Sequence, residues 1–252
     1  MTDANNFDIP AARPALSAAA LHRLAFYPVL VTQGPWVKWN TVRLQEPKGV
    51  RDGVAGSGPD LRVLVAGDSS AAGVGVATQH EALTGQLIQR LSRHARTDWQ
   101  LVARCGDTTP KALARLRAAQ PRRADVAVIG LGVNDITSGT PLKLWLRQTR
   151  DMMNHLRNHV GVERIYYSGL PPVSQFPRLP NPLRWTLGTQ AERFDLALRD
   201  MIAARSDATW ITLDLPLGAD NMAEDGYHPG PVVYAAWAEE VAKHIIRDRA
   251  LA

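Results

Sequence analysis

The chain has 252 residues, 45% hydrophobic and 21% charged, which is enough apolar material for a substantial core and excludes a disordered chain. Its 19 Gly and 17 Pro suit a loop-rich enzyme, not a low-complexity sequence. A formal charge of +5 comes from scattered basic residues, densest at Arg90, Arg93, Arg96, Arg115, Arg117, Arg122 and Arg123, without the interleaved aromatics of a nucleic-acid motif. These read as solvated helix faces, and no nucleic-acid partner is expected.

The most apolar early stretch, Leu16 to Val31, contains His22, Arg23 and Pro28 and is shorter than the roughly 20 residues that span a bilayer. Residues 16–40, an Ala-rich helix followed by an extended segment with Trp36 and Trp39, are expected to lie on the enzyme body, with contact to a membrane surface or a divergent signal sequence as the alternatives. Gly49 to Pro59 reads as a Gly-rich linker, so residues 1–59 form an extension and linker and residues 60–252 the catalytic domain. The single Cys105 forms no internal disulfide, which makes the cytoplasm the default compartment and a small buried hydrophobe the expected role of that residue.

From Leu61 onward, short apolar runs alternate with helical segments. Strands are expected at Leu61–Ala66, Trp99–Arg104, Ala124–Gly130, Arg164–Leu170 and Thr209–Leu213. Helices are expected at Glu81–Ala95, Lys111–Ala119, Leu142–His159, about Gln190–Arg205 and Pro231–Arg247. Five strands separated by helices, with runs apolar on both faces, imply an α/β fold whose mostly parallel sheet is covered by helices on both sides. Ligands of such sheets bind beyond the carboxyl ends of the strands, so the loops there are the place to look for chemistry.

The first such loop reads Gly67-Asp68-Ser69-Ser70-Ala71-Ala72-Gly73, a serine among small residues that leave room for a substrate carbonyl. The same residues also suit a plain turn and helix cap. A nucleotide loop is disfavoured, because Thr78 stands at the third glycine position of a dinucleotide fingerprint and no Gly-Lys-Ser/Thr follows. Gly106, in the turn after the second strand, and Asn134, in Gly130-Leu131-Gly132-Val133-Asn134-Asp135, have N–H groups suited to an oxyanion, although each taken alone is better explained as a plain turn.

Near the end stands Asp225-Gly226-Tyr227-His228, a histidine that supplies a base and a carboxylate that fixes its tautomer. The other six histidines have no such partner, and no HExxH or Cys/His cluster suggests a metal site.

Taken together and in this order, Gly-Asp-Ser-x-x-x-Gly, a glycine after the second strand, Gly-x-Asn-Asp and Asp-x-x-His resemble the signature of the SGNH (GDSL-like) hydrolases over about residues 60–250. The resemblance implies a flavodoxin-like three-layer α/β/α fold and no cofactor. It also implies Ser69 as nucleophile, His228 as base, Asp225 as its orienting carboxylate, and an oxyanion hole from Ser69, Gly106 and Asn134. Ser70 stands where the GDSL name has Leu, which leaves the subfamily open.

The expected substrate is a small-molecule ester. The Pro-rich loop Pro171–Gly188 offers Phe176, Leu179 and Trp185 as substrate contacts, with Asp68 beside the serine, and its stiffness suggests short acyl groups, acetyl to butyryl. The other readings are a lysophospholipase or thioesterase for longer chains, an acyltransferase, and a catalytically silent binding module. No Gly-x-Ser-x-Gly elbow occurs, which disfavours an α/β-hydrolase. Oligomeric state is not legible.

Overall fold

The computed structural model describes residues 29, 32–37 and 39–251, so of the apolar stretch Leu16–Val31 only Val29 falls among the described residues. Six strands form one sheet: β1 (Asp52–Ala55), β2 (Asp60–Gly67), β3 (Arg96–Ala103), β4 (Val126–Gly130), β5 (Arg164–Ser168) and β6 (Ala208–Ile211), in the order β1-β3-β2-β4-β5-β6. Strands β2 to β6 are parallel, and β1 runs antiparallel along the edge of β3.

The sheet therefore has one strand more than expected, and β1 comes from the stretch read as a linker. Asp-Gly-Val-Ala is too short and too Gly-interrupted to show a strand period. It is held by pairing from Asp52 opposite Gln100 to Ala55 opposite Thr97. Arg122 adds a brace across the two strands, with its guanidinium 3.2 Å from Asp52 and 2.9 Å from Asp98.

The segment with Trp36 and Trp39, expected to be extended, is helical at residues 32–37, 39 and 40; beyond it, the α-helices among the described residues are α1 (Ser69–Ala72), α2 (Leu83–Leu91), α3 (Thr109–Ala119), α4 (Val133–Thr137), α5 (Leu142–His155), α6 (Leu183–Ala203) and α7 (Pro231–Asp248). A π-helical turn continues α5 over residues 156–160 and ends at left-handed Gly161. Helix α6 starts directly after Pro182 instead of near Gln190, so the Pro-rich loop is shorter than its composition suggests.

Alternate residues of the strands feed two cores, which is why the strand sequences are apolar throughout. Leu64 and Ala66 of β2 pack with α3, α5 and α6 on one face. Val63 and Val65 pack with α1, α2 and α7 on the other.

From β2 the chain first moves to β3 on one side and then crosses back to β4 on the other. This opens a crevice between the carboxyl ends of β2 and β4. At that point Gly67 and Gly130 are paired neighbours, and a Cβ on Gly67 would lie 2.3 Å from the Gly130 carbonyl oxygen and 2.5 Å from the Ala71 Cβ. The two strand ends meet this closely only because residue 67 has no side chain.

Cys105 is exposed, contrary to its expected burial. Strand β3 ends at Ala103, and the turn that follows carries Cys105 out of the core, where its N–H donates to Glu46 Oε1 at 2.7 Å.

Candidate active site

Ser69 is the first residue of α1, immediately beyond β2. Asp68 caps that helix by accepting the Ser70 N–H at 3.0 Å, and left-handed Gly73 ends it one turn later. This short turn sets Ser69 at the crevice, 8% exposed.

Opposite it, the loop before α7 is closed by the Met222–Pro229 bridge and by Ala223 N–H donating to the His228 carbonyl at 2.9 Å. Gly75, at φ +112°, packs beneath that loop. A Cβ there would lie 2.3 Å from the Pro229 carbonyl oxygen.

The result is a continuous array. Ser69 Oγ lies 2.9 Å from His228 Nε2, and His228 Nδ1 lies 2.5 Å from Asp225 Oδ2. The second oxygen of Asp225 accepts the N–H groups of Tyr227 at 2.9 Å and His228 at 3.0 Å. The carboxylate thus folds back on its own turn, which is the physical content of the Asp-x-x-His spacing. Burial of Asp225 works to raise its pKa, but the bonds to His228, their mutual attraction and the two backbone donors outweigh this and hold it below the ordinary carboxylate range. Asp225 is therefore an anion at neutral pH, suited to stabilise an imidazolium.

Gly106, at φ +80°, lies in the turn before α3 with open space where a Cβ would stand. Asn134 is on α4, and its Nδ2 donates to the Asp107 carbonyl at 3.1 Å and approaches Asp68 Oδ2 at 3.5 Å. Ser69, Gly106 and Asn134 all line one cavity of about 950 Å³, so the structure brings these three residues and His228 together.

Of the four expected substrate contacts, Asp68, Phe176 and Leu179 line this cavity. Trp185 does not, and it is 42% exposed. The face of α6 turned to the cavity carries Leu183 and Leu187, one helical turn apart, and Trp185 points away between them. Leu213, Leu215, Leu217 and Met222 complete an apolar wall that the sequence reading missed. The run Leu213-Asp214-Leu215-Pro216-Leu217 after β6 alternates leucine with other residues and was the available signal.

Asp68 is 4% exposed, and burial pushes its pKa up to about 7, against the lowering effects of the Ser70 N–H and the charge of His228. Asp135 is fully buried. It accepts Thr109 N–H at 3.1 and 3.0 Å and Thr109 Oγ1 at 3.0 Å, and burial raises its pKa in spite of those bonds. The sequence reading assigned Asp135 no role. Among the described residues, no three His, Cys, Asp or Glu side chains are grouped to hold a metal ion, and no helix is long and apolar enough to cross a membrane.

The family model described as the GDSL-like lipase/acylhydrolase family matches residues 65–236. No curated protein sequence matches the chain. Among solved structures, a family 2 carbohydrate esterase with a carbohydrate binding domain from Corynascus thermopiles (Myceliophthora fergusii) is 16% identical with a TM-score of 0.60, over 81% of this chain and 69% of that one. A psychrotrophic esterase from Pseudoalteromonas sp. is 18% identical with a TM-score of 0.55, over 76% and 100%. A family 3 carbohydrate esterase from Clostridium thermocellum is 15% identical with a TM-score of 0.59, over 76% and 99%. At these identities the likeness speaks for the fold alone, a three-layer α/β/α arrangement on a mostly parallel sheet.

Proposed function

The chain belongs to the GDSL-like lipase/acylhydrolase family, and from this premise we propose that it hydrolyses carboxylic esters of medium to long acyl chains through an acyl-enzyme on Ser69. The observation that carries the chemistry is the unbroken Ser69–His228–Asp225 hydrogen-bonded array. His228 Nε2 takes the Ser69 proton as Oγ attacks the ester carbonyl, and Asp225 stabilises the resulting imidazolium. The tetrahedral oxyanion is held by the N–H groups of Ser69 and Gly106 and by Asn134 Nδ2. The alcohol leaves with the proton from His228, and water repeats the sequence on the acyl-enzyme.

The chain-length reading rests on the cavity. About 950 Å³ is at the upper end of what small-molecule sites occupy, and an acetyl group would leave nearly all of it unfilled. The leucines of α6 and of the segment after β6 give an acyl chain apolar surface to bury, at roughly 0.8 kcal/mol for each methylene. These features support longer acyl groups than the acetyl to butyryl range suggested by the Pro-rich loop.

The test is hydrolysis of p-nitrophenyl esters from acetyl to dodecanoyl by the wild type and Ser69→Ala. The expected result is kcat/KM rising to a maximum between hexanoyl and decanoyl, with Ser69→Ala slower by at least about 10³-fold throughout. A maximum at acetyl overturns the acyl assignment, and equal rates in the two proteins overturn the nucleophile.

A further inference from the structure

The segment that closes one side of the cavity has an outer face that the reaction does not use. Residues 32–37, 39 and 40 are helical, and Thr41 bonds back to the Val37 carbonyl through both its N–H (2.9 Å) and its Oγ1 (2.6 Å). Gly34, Pro35, Val37 and Thr41 line the cavity. Gln33 fastens the segment to the start of α6, with Nε2 donating to the Asn181 carbonyl at 2.8 Å and Oε1 accepting the Leu183 N–H at 3.2 Å. The segment is thus part of the cavity wall and is tied to the helix that supplies Leu183 and Leu187.

Its other side is aromatic. Trp36 is 59% exposed and Trp39 is 89% exposed, and at a spacing of three they are neighbours on the helix surface. Val29, one heptad before Trp36, and Val42, three residues after Trp39, are also exposed, at 41% and 43%. The charge of the surrounding sequence is one-sided. Between Asp8 and Glu46 there is no acidic residue, while Arg13, Arg23, Lys38 and Arg43 contribute +4, most of the formal +5 of the whole chain.

Indole rings with an apolar body and one N–H partition to the boundary between lipid and water. Basic residues in the same stretch of sequence, of which Arg43 is described and exposed, are attracted to anionic headgroups. We propose that the Trp36–Trp39 face docks on an anionic lipid surface, which brings the mouth of the catalytic cavity to the membrane. The two tryptophans enter the headgroup region, and the same segment presents Val37 and Thr41 to an acyl chain entering the cavity. Delivery of an ester from the membrane rests on the esterase reading above, whereas docking does not.

The test uses the full chain and measures co-sedimentation with vesicles of phosphatidylcholine alone and of phosphatidylcholine mixed with phosphatidylglycerol, at low and high salt. Binding to the mixed vesicles, weakening with salt, is expected for the wild type and for Ser69→Ala alike, so the result does not depend on catalysis. The double variant Trp36→Ser/Trp39→Ser should lose about tenfold or more in partitioning, since it removes two aromatic side chains from the contact. It should still hydrolyse soluble p-nitrophenyl octanoate at the wild-type rate, because neither side chain lines the cavity, and that rate also reports that it is folded. No binding by the wild type, or undiminished binding by the double variant, overturns the proposal. So does a wild-type dimer that the double variant converts to a monomer with no change in vesicle binding, because the face would then serve a second copy of the chain.

Discussion

Two walls of one cavity are built by different means. On the polar side, the Gly106–Asp107 turn and the Asn134–Asp135 start of α4 are stitched together by directional bonds. Asn134 Nδ2 reaches the Asp107 carbonyl at 3.1 Å, Thr109 gives its N–H and hydroxyl to Asp135, and Trp145 Nε1 donates to Thr109 Oγ1 at 3.1 Å. From outside, the Arg115 guanidinium grips the Asp107 carboxylate at 2.6 and 3.2 Å. On the apolar side, Leu183, Leu187 and Leu215 turn aliphatic side chains to the cavity, and those side chains make no directional bond. A hydrogen-bonded wall fixes atoms to tenths of an ångström, whereas a wall of leucines repacks at modest cost. Changes on the first wall should therefore alter kcat, and changes on the second the choice of acyl chain.

The largest effect that would break this comparison is at Asn134. Asn134→Ala removes the amide proposed to hold the oxyanion and should lower kcat roughly 10²–10³-fold with KM little changed and thermal unfolding near wild type. Steady-state kinetics on the octanoyl ester decide it, and a change confined to KM would show that Asn134 binds the substrate instead of the oxyanion. Asp135→Asn comes next. The new amide replaces one of two acceptor oxygens, both within 3.1 Å of the Thr109 N–H, with an NH2 that faces a donor, so the two segments should separate slightly, lowering kcat roughly tenfold at an unchanged chain-length optimum and costing about 1–3 kcal/mol of stability. A wild-type kcat in a measurably destabilised Asp135→Asn protein would show that the clamp serves the fold and not the oxyanion hole.

The polar wall was largely legible in the sequence because each of its elements sits at a strand end in a fixed local spacing. Asp225 and His228 are three residues apart and meet through one turn. Ser69 follows β2 directly, and Asn134 lies just beyond β4. Asp135 was not legible as a clamp, since its partner Thr109 lies far away along the chain and only the pairing of strands brings them together. The apolar wall was hidden for the same reason. It combines residues 34–41, the start of α6 and the segment after β6, and a leucine facing a cavity has the same local pattern as one facing the core. Trp185 shows the converse error: an aromatic residue in a Pro-rich stretch suggests a pocket, but the helical register of α6 turns it outward. Strand β1 escaped because its pairing with β3, and not its own four residues, makes it a strand.

On the apolar wall, Leu187→Trp fills part of the acyl space beneath α6. The octanoyl and decanoyl esters should lose about tenfold in kcat/KM while the acetyl ester keeps its rate, so the optimum moves to shorter chains. A uniform loss across the series would mean that the change has disturbed the polar wall as well, and the two walls would no longer be separable.

The smallest effect joins the two walls to pH. Asp68 lies against Asn134 at 3.5 Å, and burial pushes its pKa up to about 7 from an ordinary 3.8. Between those two values the folded protein holds a proton that the unfolded chain has released, so stability falls as pH rises through this window, by up to about 1.4 kcal/mol per pH unit, and levels off above 7. Below pH 7 the neutral carboxyl leaves Asn134 Nδ2 free to turn its second hydrogen to the oxyanion. Above pH 7 the carboxylate competes for that hydrogen and places a negative charge beside the developing one. Asp68→Asn keeps the α1 cap, because asparagine caps a helix as well as aspartate does. It should flatten the downward slope of Tm between pH 4 and pH 7, leaving the part that the raised pKa of Asp135 contributes, and it should abolish a roughly twofold to threefold decline of kcat above pH 7. If the alkaline decline persists unchanged in Asp68→Asn, another group sets it, and the polar wall works with Asp68 charged.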